Sequence, residues 1–578
     1  MNVPGIGIVH TMARTAASAL GSSARPRTRI IGEQAHIAVR GLREAEEATA
    51  AAVTAAVERR LVELPAVRWA AVNAVLGYAV VVLDGSPELV ETAQALTEAV
   101  ETVEEEHGLT GPLPEHPFAP GDIRRAALSL ALQAAAVPVA TAVRLSRRTP
   151  LPVALSALVT VVDTQPALRR KATAVVGARN VDVVLAGLSA LAQAGAGGLP
   201  GLGVDAVRHA LRLAETVAHR DAWEAAAPRI AETERHARAA APPGTPREVP
   251  LREGPVERYA RRAGWVAGTV FAGTLAVTRR PTPAASATLA TVPKPPWAAR
   301  EAFAGTLGRG LSLRGTLVAD PGALRRLDRV GTVVLDTDAL LTGGHLLADL
   351  APLDPERSTG DLAATAYRLF DGKHPTAEHE DDGWSLAPLR QPGREGASGE
   401  EAAAAARLRG AGAQHILALT HDGRTCALIA VVPELHEAAE GLVTAGRRSG
   451  LTVLAAGAHA DHVALSDAHG TVPGGDRLAA AVRDAQRDGT GVLLLSRDRA
   501  ALAAADVGVG VTGRDGVLPW GADLYVGDDL AQAAVLVAAC GAARPVSQRG
   551  VRLAQAAAVV GAVATLAGRR RRGLAARS

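Results

Sequence analysis

The sequence is poor in aromatic residues and nearly free of cysteine. Only 2% of its 578 residues are Phe, Trp or Tyr, although 48% are hydrophobic. Its cores must be built from small aliphatic side chains, mainly alanine and valine, and alanine also favours helix. The two cysteines, Cys426 and Cys540, are far apart and form no CxxC. This excludes a disulfide framework and a thiolate metal centre, and reads both as small buried apolar groups. No charge sign dominates: 62 basic residues oppose 59 acidic ones, a formal charge of +3. That balance excludes a whole-chain nucleic-acid surface. The first residues contain "RPRTR" but no ordered charged start, apolar block and cleavage site, so no signal peptide is expected.

A chain of this length should divide into several units. Residues 28–110 predict a compact α/β module. "AHIAVRGL" alternates like a strand, Glu44 to Leu64 is strongly helical, and "VRWAAVNAVLGYAVVVLDG" reads as two strands joined near Leu76-Gly77. A second helix follows at about Pro87 to Glu106. The β-α-β-β-α order, with room for a last strand, predicts a ferredoxin-like fold.

Residues 122–280 predict a hydrophobic helical region with a charged helical insert. Ala126 to Val143 is uncharged over nearly the length needed to cross a bilayer. The "RLSRR" cluster and "TPLPVALSALVTVV" complete a hairpin with a basic turn. Val181 to Val204, Ala263 to Val277 and "LAQAAAVVGAVATLAG" before "RRRR" are further candidates, the last within a terminal segment, 546–578.

From about Ala298 the pattern becomes α/β. Short apolar strands in "GTVVLD", "QHILALTHDGRTCALIAVV", "LTVLAAG", "GVLLLS" and "VGVGV" alternate with alanine-rich helices. This predicts a doubly wound parallel sheet over 298–342 and 412–545, with an insert at 343–411. The insert's "EHEDD" reads as a solvated loop, because no matched histidine spacing points to a metal. "GVGVTGRDG" lacks the terminal Lys-Ser/Thr of a phosphate loop. Where the strand "GTVVLD" ends, Asp336 and Asp338 stand two apart.

That strand-aspartate-turn arrangement resembles the cation-transporting P-type ATPases, whose phosphorylation domain is HAD-like and carries Asp-Lys-Thr-Gly-Thr after an apolar strand. "EAFAGTLGRGLSLRGTLVADPGALRRLDRVGTVVLD" is similar to the family's approach to that motif. Asp336 stands at the phosphate-acceptor position and Leu341-Thr342 match the end, but Thr337, Asp338, Ala339 and Leu340 hold the middle. The family's Thr-Gly-Asp reads here Ala456-Gly457-Ala458, and Arg477 is the nearest substitute for its lysine. Its Gly-Asp-Gly-x-Asn-Asp aligns with Leu493, Leu494 and Leu495, then Arg497 and Asp498. The N-terminal module is similar to heavy-metal-associated modules, without their CxxC. The whole resembles the N-terminal half of long actinobacterial P-type ATPases.

The resemblance implies candidate catalytic residues Asp336, Asp338 and Asp498, with Asp336 as phosphate acceptor, and Mg²⁺ and ATP as cofactors if activity is retained. Aspartyl-phosphate chemistry needs a second acid on Mg²⁺, a hydroxyl and a lysine. Leu494 and Ala456 occupy two of those positions, and arginine does not replace lysine's compact ammonium group. No Thr-Gly-Glu segment occurs between the hydrophobic stretches, and His374-Pro375 resembles the nucleotide-domain pair of metal-pumping relatives. The expectation is a membrane-located pseudo-pump with a cytoplasmic HAD-like domain. Its partners would be the membrane, a complete P-type ATPase or another membrane protein, and no nucleic acid. The alternatives are an active ATPase, or a HAD phosphatase using Asp336 and Asp338 with Asp498 or Asp506 on Mg²⁺.

Overall fold

A computed structural model describes residues 27–42, 46–85, 89–110, 113–114, 120–145, 159, 162, 166–177, 180–195, 199–233, 247–279, 295–389, 399–460, 465–513 and 515–575. They fall into two compact units. The first holds the chain through Val333, Arg448–Leu451, and everything from Val482; the second holds Val334–Arg447 and Thr452–Ala481.

The first unit opens with β1 (Thr28–Ile31), β2 (Gln34–Ala38), α1 (Glu47–Val62), β3 (Val67–Asn73), β4 (Tyr78–Leu83) and α2 (Leu89–Glu106). The sheet is antiparallel in the order β1-β2-β4-β3. Alternate residues such as Ile37, Val72 and Val81 face a core shared with Val57 and Leu61 of α1 and Val100 of α2. No strand follows α2 among the described residues. The edge beside β2 is taken by the preceding strand β1, because a two-residue turn at Gly32 (φ 58°) folds it straight back.

Next come α3 (Pro120–Leu145), α4 (Pro166–Val176), α5 (Val181–Gly195) and α6 (Leu199–Thr233). Small side chains let the helices meet closely: Ala136 and Ala140 of α3 pack with Ala190 and Ala194 of α5 and Leu202 of α6. At its far end α6 lays Ala227 and Ala231 on the outer face of the first sheet, against Trp69, Ala71 and Val80. After α7 (Pro255–Thr278) and α8 (Pro295–Ser312) come β5 (Leu317–Val318), α9 (Pro321–Leu324) and β6 (Val330–Asp336). Trp223 of α6 donates its Nε1–H to the Val318 carbonyl at 3.0 Å.

The second unit continues from the end of β6. It contains α10 (Thr337–Leu340), β7 (Leu341–Pro352), α11 (Thr359–Leu369), β8 (His379–Asp381), β9 (Trp384–Pro388), α12 (Gly399–Gly410), β10 (His415–His421) and β11 (Arg424–Leu435). The strands form an antiparallel sheet in the order β7-β11-β10-β9-β8. This corrects the sequence reading: "QHILALTHDGRTCALIAVV" is not part of the parallel sheet. It is the hairpin β10–β11, and β11 also pairs antiparallel with β7, so the insert runs to Leu435 rather than ending at 411. The physical signal is the Asp422-Gly423 turn, both residues at positive φ (49° and 80°), which folds the two strands together. "EHEDD" likewise forms exposed β8 and the turn at Asp382-Gly383, not a loop. The unit ends with α13 (Ala438–Arg448), β12 (Thr452–Ala456) and β13 (Gly470–Val472), where β12 lies between β6 and β13 and runs parallel to β13.

Past α14 (Leu478–Ala485) the first unit resumes with β14 (Gly491–Ser496), α15 (Arg499–Ala504), β15 (Val507–Val511), β16 (Leu524–Val526) and α16 (Ala531–Ala575). β14, β15 and β16 are parallel, and short β5 closes the edge antiparallel. The chain is thus a mixed α/β protein containing a parallel sheet. Part of its aromatic content gathers here: Trp223 stacks 6.3 Å from Trp520 and meets Tyr525 edge-on.

The expected set of membrane hairpins shrinks. Among the described residues one helix, α3 over Asp122–Val143, is long and apolar enough to cross a membrane; Leu168–Val176 with Val181–Gly195 qualifies only as a bent pair. The second arm expected at 149–162 lies almost wholly outside the described residues. Ala263 to Val277 sits in α7 and the terminal candidate in α16. Both are short of about 18 apolar residues and rich in Gly, Ala and Thr. The start of α16 is instead core, with Leu536, Val537 and Cys540 buried.

Candidate functional site at the strand ends

In the second unit the ends of β6, β12 and β13 converge, as the carboxyl ends of strands do at ligand sites in open α/β sheets. β6 is buried from Thr332 to Asp336 because the apolar run "VVL" leads straight into the acid. Asp336 is only 3% exposed. Its Oδ1 accepts the Asp338 backbone N–H at 3.3 Å, which caps the single turn α10. Asp338 belongs to the same turn, but its side chain is exposed. Thr337 between them is fully buried, and its Oγ1 has no hydrogen-bond partner among the described residues.

Sequence reasoning missed the role of glycine opposite Asp336. Gly457 has φ 108°, and a Cβ there would lie 2.5 Å from Thr337 Oγ1 and 3.9 Å from Asp336 Oδ1. Its position therefore demands the residue without a side chain. Gly474, in the turn after β13, is closer still: a Cβ would fall onto the Gly457 Cα and lie 2.7 Å from its amide nitrogen. Backbone thus rests on backbone beside the Asp336 carboxylate. The legible signals were "AGA" and "PGG", each with glycine at a strand end. Ala456 is buried and Ala458 exposed, so the segment 456–458 that closes β12 offers neither hydroxyl nor carboxylate. Arg477 is exposed on the next turn, Gly475–Arg477.

The remaining candidates lie in the first unit. Leu494 is fully buried in β14, in register with Gly508 of β15. Asp498 caps α15: its Oδ1 accepts the Ala501 N–H at 2.6 Å, and its own N–H donates to Ser496 Oγ. Asp506 is structural, against the reading that offered it to Mg²⁺. Arg247 Nη1 donates to its Oδ1 at 2.5 Å, while Gln486 Nε2 and the Val492 N–H donate to Oδ2. Asp506 also lies level with Val492, near the start of β14, whereas Asp498 follows its end. At about 3.3 Å per residue the two are more than 10 Å apart along the strand. An Asp506→Asn protein should lose about 2 kcal/mol or more in urea unfolding, since an amide turns a donor towards donors and strands Arg247. Equal midpoints for the variant and wild type would contradict that role.

A resident Mg²⁺ does not fit these residues. The ion takes carboxylate, water and phosphate oxygens in near-octahedral array. β12 ends at Ala456 and is followed by Gly457 and Ala458, β14 runs in leucine up to Ser496, and Asp498 is engaged in capping. Among the described residues no three His, Cys, Asp or Glu side chains are grouped to hold a metal. In the insert, His374 is exposed and its Nδ1 lies 2.9 Å from Asp371 Oδ2, on a turn.

No protein-family model matches the chain. Over 452 residues it is 31% identical to the probable cation-transporting ATPase I of Mycobacterium tuberculosis, a match covering 69% of this chain and 27% of that protein. The counterpart from Mycobacterium leprae is 33% identical over 314 residues, 52% of this chain and 19% of that one. The matches thus span about a quarter or less of the length of these curated relatives. Among solved structures, a zinc-transporting PIB-type ATPase aligns with TM-score 0.39 and 16% identity, covering 52% of this chain and 56% of that chain. A zinc-transporting PIB-type ATPase solved in a different state aligns with TM-score 0.38 at 16% identity, over 60% and 62%.

Proposed function

This chain is a relative of the cation-transporting P-type ATPases, and from that premise we propose that it is a non-pumping pseudoenzyme with a regulatory or partner-binding role at a membrane. One observation carries the reading: the Asp336 carboxylate stands at a buried strand end, but Ala456, Gly457 and Ala458 at and after the end of β12 beside it offer no polar side chain, and the Gly474 backbone lies against Gly457. Phosphoryl transfer relies on groups that neutralise the developing charge, and each lost donor costs on the order of a hundred- to a thousandfold in rate. Several losses together leave a scaffold. In this reading 28–110 is a heavy-metal-associated-like module of ferredoxin type without metal ligands. The antiparallel order β1-β2-β4-β3 with two helices on one face supports it. The strand-end domain is HAD-like and cytoplasmic, α3 is the favoured membrane span, and a complete P-type ATPase is the favoured partner.

The test is phosphoenzyme trapping. Purified full chain is incubated with Mg²⁺ and γ-labelled ATP, then acid-quenched. No hydroxylamine-sensitive label is expected, and Asp336→Asn should match wild type. Label present in wild type and absent in the variant would overturn the reading in favour of an active ATPase. The exposure of Asp338 beside buried Asp336 leaves the phosphatase reading one specific footing, so the same preparations are assayed for Asp336-dependent phosphate release.

A further inference from the structure

Helices α3, α5 and α6 change surface character at one level along their length. Gln133 of α3 donates to the Ala186 carbonyl of α5 at 3.1 Å, and further on Ala136 and Ala140 pack in one cluster with Ala190 and Ala194. α3 and α5 therefore run the same way. α6 runs back along them: Gln193 donates to Asp205 at 2.8 Å, and Arg212 Nη2 lies 2.7 Å from Asp182. On the Ala190 side of Asp182 the outward side chains are apolar, with Val137 and Val139 of α3, Leu191 of α5, and Val204 and Val207 of α6 all exposed. No residue of α3 from Ala126 to Val143, and none of α5 after Asp182, is charged.

At Asp182 the surface turns basic. Arg169 of α4 and Arg212 of α6 both pair with its carboxylate, and Arg208 lies one turn back along α6, 3.8 Å from Asp205. α3 begins at this end: counted from the Gln133–Ala186 contact at 1.5 Å per residue, Arg125 is within roughly 6 Å of the height of Asp182. Arg125 pairs with Asp122, and Arg124 beside it is exposed. α4 meets α5 at 111°, so it lies across the bundle, and it exposes Arg170 and Lys171 together with Leu168 and Val175. With both members of every pair counted, this end carries four more cations than acids, so the excess does not depend on any cation lacking a partner.

We propose that this end of the bundle is a collar for acidic phospholipid headgroups, with α4 lying flat in the headgroup layer of one leaflet. This rests on α3 as the membrane span. With α3 and α5 upright, a helix bent 111° from α5 runs close to the membrane plane. Leu168, Lys171 and Val175 recur at i, i+3 and i+7, on one face of α4. Such a face sets its apolar side chains at the acyl boundary while the neighbouring cations reach the headgroups. Two exposed apolar side chains are few, and an isolated helix of 11 residues is marginal, so the charges decide where α4 settles. A leaflet presents what three helices offer at once, an apolar layer bordered by a sheet of negative charge. Each cation near an acidic leaflet favours the bound state about fivefold.

The experiment is hydrogen exchange on the full chain in lipid nanodiscs, made of phosphatidylcholine alone or with phosphatidylglycerol added. Amides of 170–176 in α4 should exchange on the order of twentyfold more slowly in the acidic discs, the share of its two exposed cations. Arg170→Gln combined with Lys171→Gln should abolish that difference, and so should high salt, which screens it. Amides of 126–143 in α3 are the reference, because a span is protected in both discs. Protected α3 with α4 indifferent to lipid charge overturns the collar and leaves the span standing. Free exchange of α3 in both discs removes the span, and the collar with it. A lipid difference that survives the double substitution overturns the assignment to these cations. Protection of α4 that follows protein concentration instead of lipid charge gives the face to a second copy and equally overturns the proposal.

Discussion

Replacing Gly474 with alanine should destabilise the second unit by about 3 kcal/mol, the upper range for forcing atoms into packed space. The cause is purely steric. Gly474 has φ −106°, which alanine adopts freely, yet its Cβ would fall on the Gly457 backbone. Backbone yields far less easily than the end of a flexible side chain. Gly475 provides the control, with reversed logic: its φ is 56°, but nothing lies within 4 Å of a Cβ. Gly475→Ala should cost about 1 kcal/mol, from conformation alone. Hydrogen exchange across 334–447 and 452–481 separates the two. Equal costs for both variants would mean the close approach beside Asp336 does not exist.

Arg325→Met should cost about 4 kcal/mol in the first unit, because breaking a buried ion pair leaves a charge behind. Arg325 holds Glu215 of α6 bidentately, with Nη1 and Nη2 each 2.7 Å from a carboxylate oxygen. It also reaches Glu301 of α8 at 3.0 Å. Glu215 is nearly inaccessible, and Gly308 of α8 crowds it so closely that a Cβ there would lie 2.8 Å from Oε1. Methionine fills the guanidinium's stem space but leaves that carboxylate uncompensated. Burial pushes the Glu301 carboxyl up, but Arg325, with Arg212 and Arg300, outweighs this and holds it below its ordinary value. Its share is therefore present above pH 4.5 and fades as pH falls below it. Adding Glu215→Gln to Arg325→Met should recover part of the loss, as urea midpoints of the two singles and the double would reveal. A double variant no better than Arg325→Met alone would remove the uncompensated charge as the cause.

Local signals were legible where one residue type or one period decided the structure. The helix expected at 44–64 forms over Glu47–Val62, and the turn at Leu76-Gly77 falls between β3 and β4, with Gly77 at φ 71°. β6 ends at Asp336 as its β-branched run predicted. The insert was misjudged because period-two alternation is identical in a hairpin strand and in a strand of a parallel sheet. Only the Asp422-Gly423 turn distinguished them. β1 was overlooked because it is only four residues long, carries Arg29, and has its pairing partner beyond a two-residue turn.

The sequence by itself determined that a carboxylate closes an apolar strand and that Ala456-Gly457-Ala458 and the leucine run 493–495 follow later in the chain. Those are statements about residue types along one chain, and packing does not alter them. Tertiary structure alone decided what each acid does. Asp506 is tied to Arg247, 259 residues away; Asp498 caps its own helix; and Asp336 lies beside two glycines that approach backbone to backbone. The physical reason is range: a hydrogen bond or a close contact acts over a few ångströms of space, and spacing along the chain does not encode which distant segments come that near.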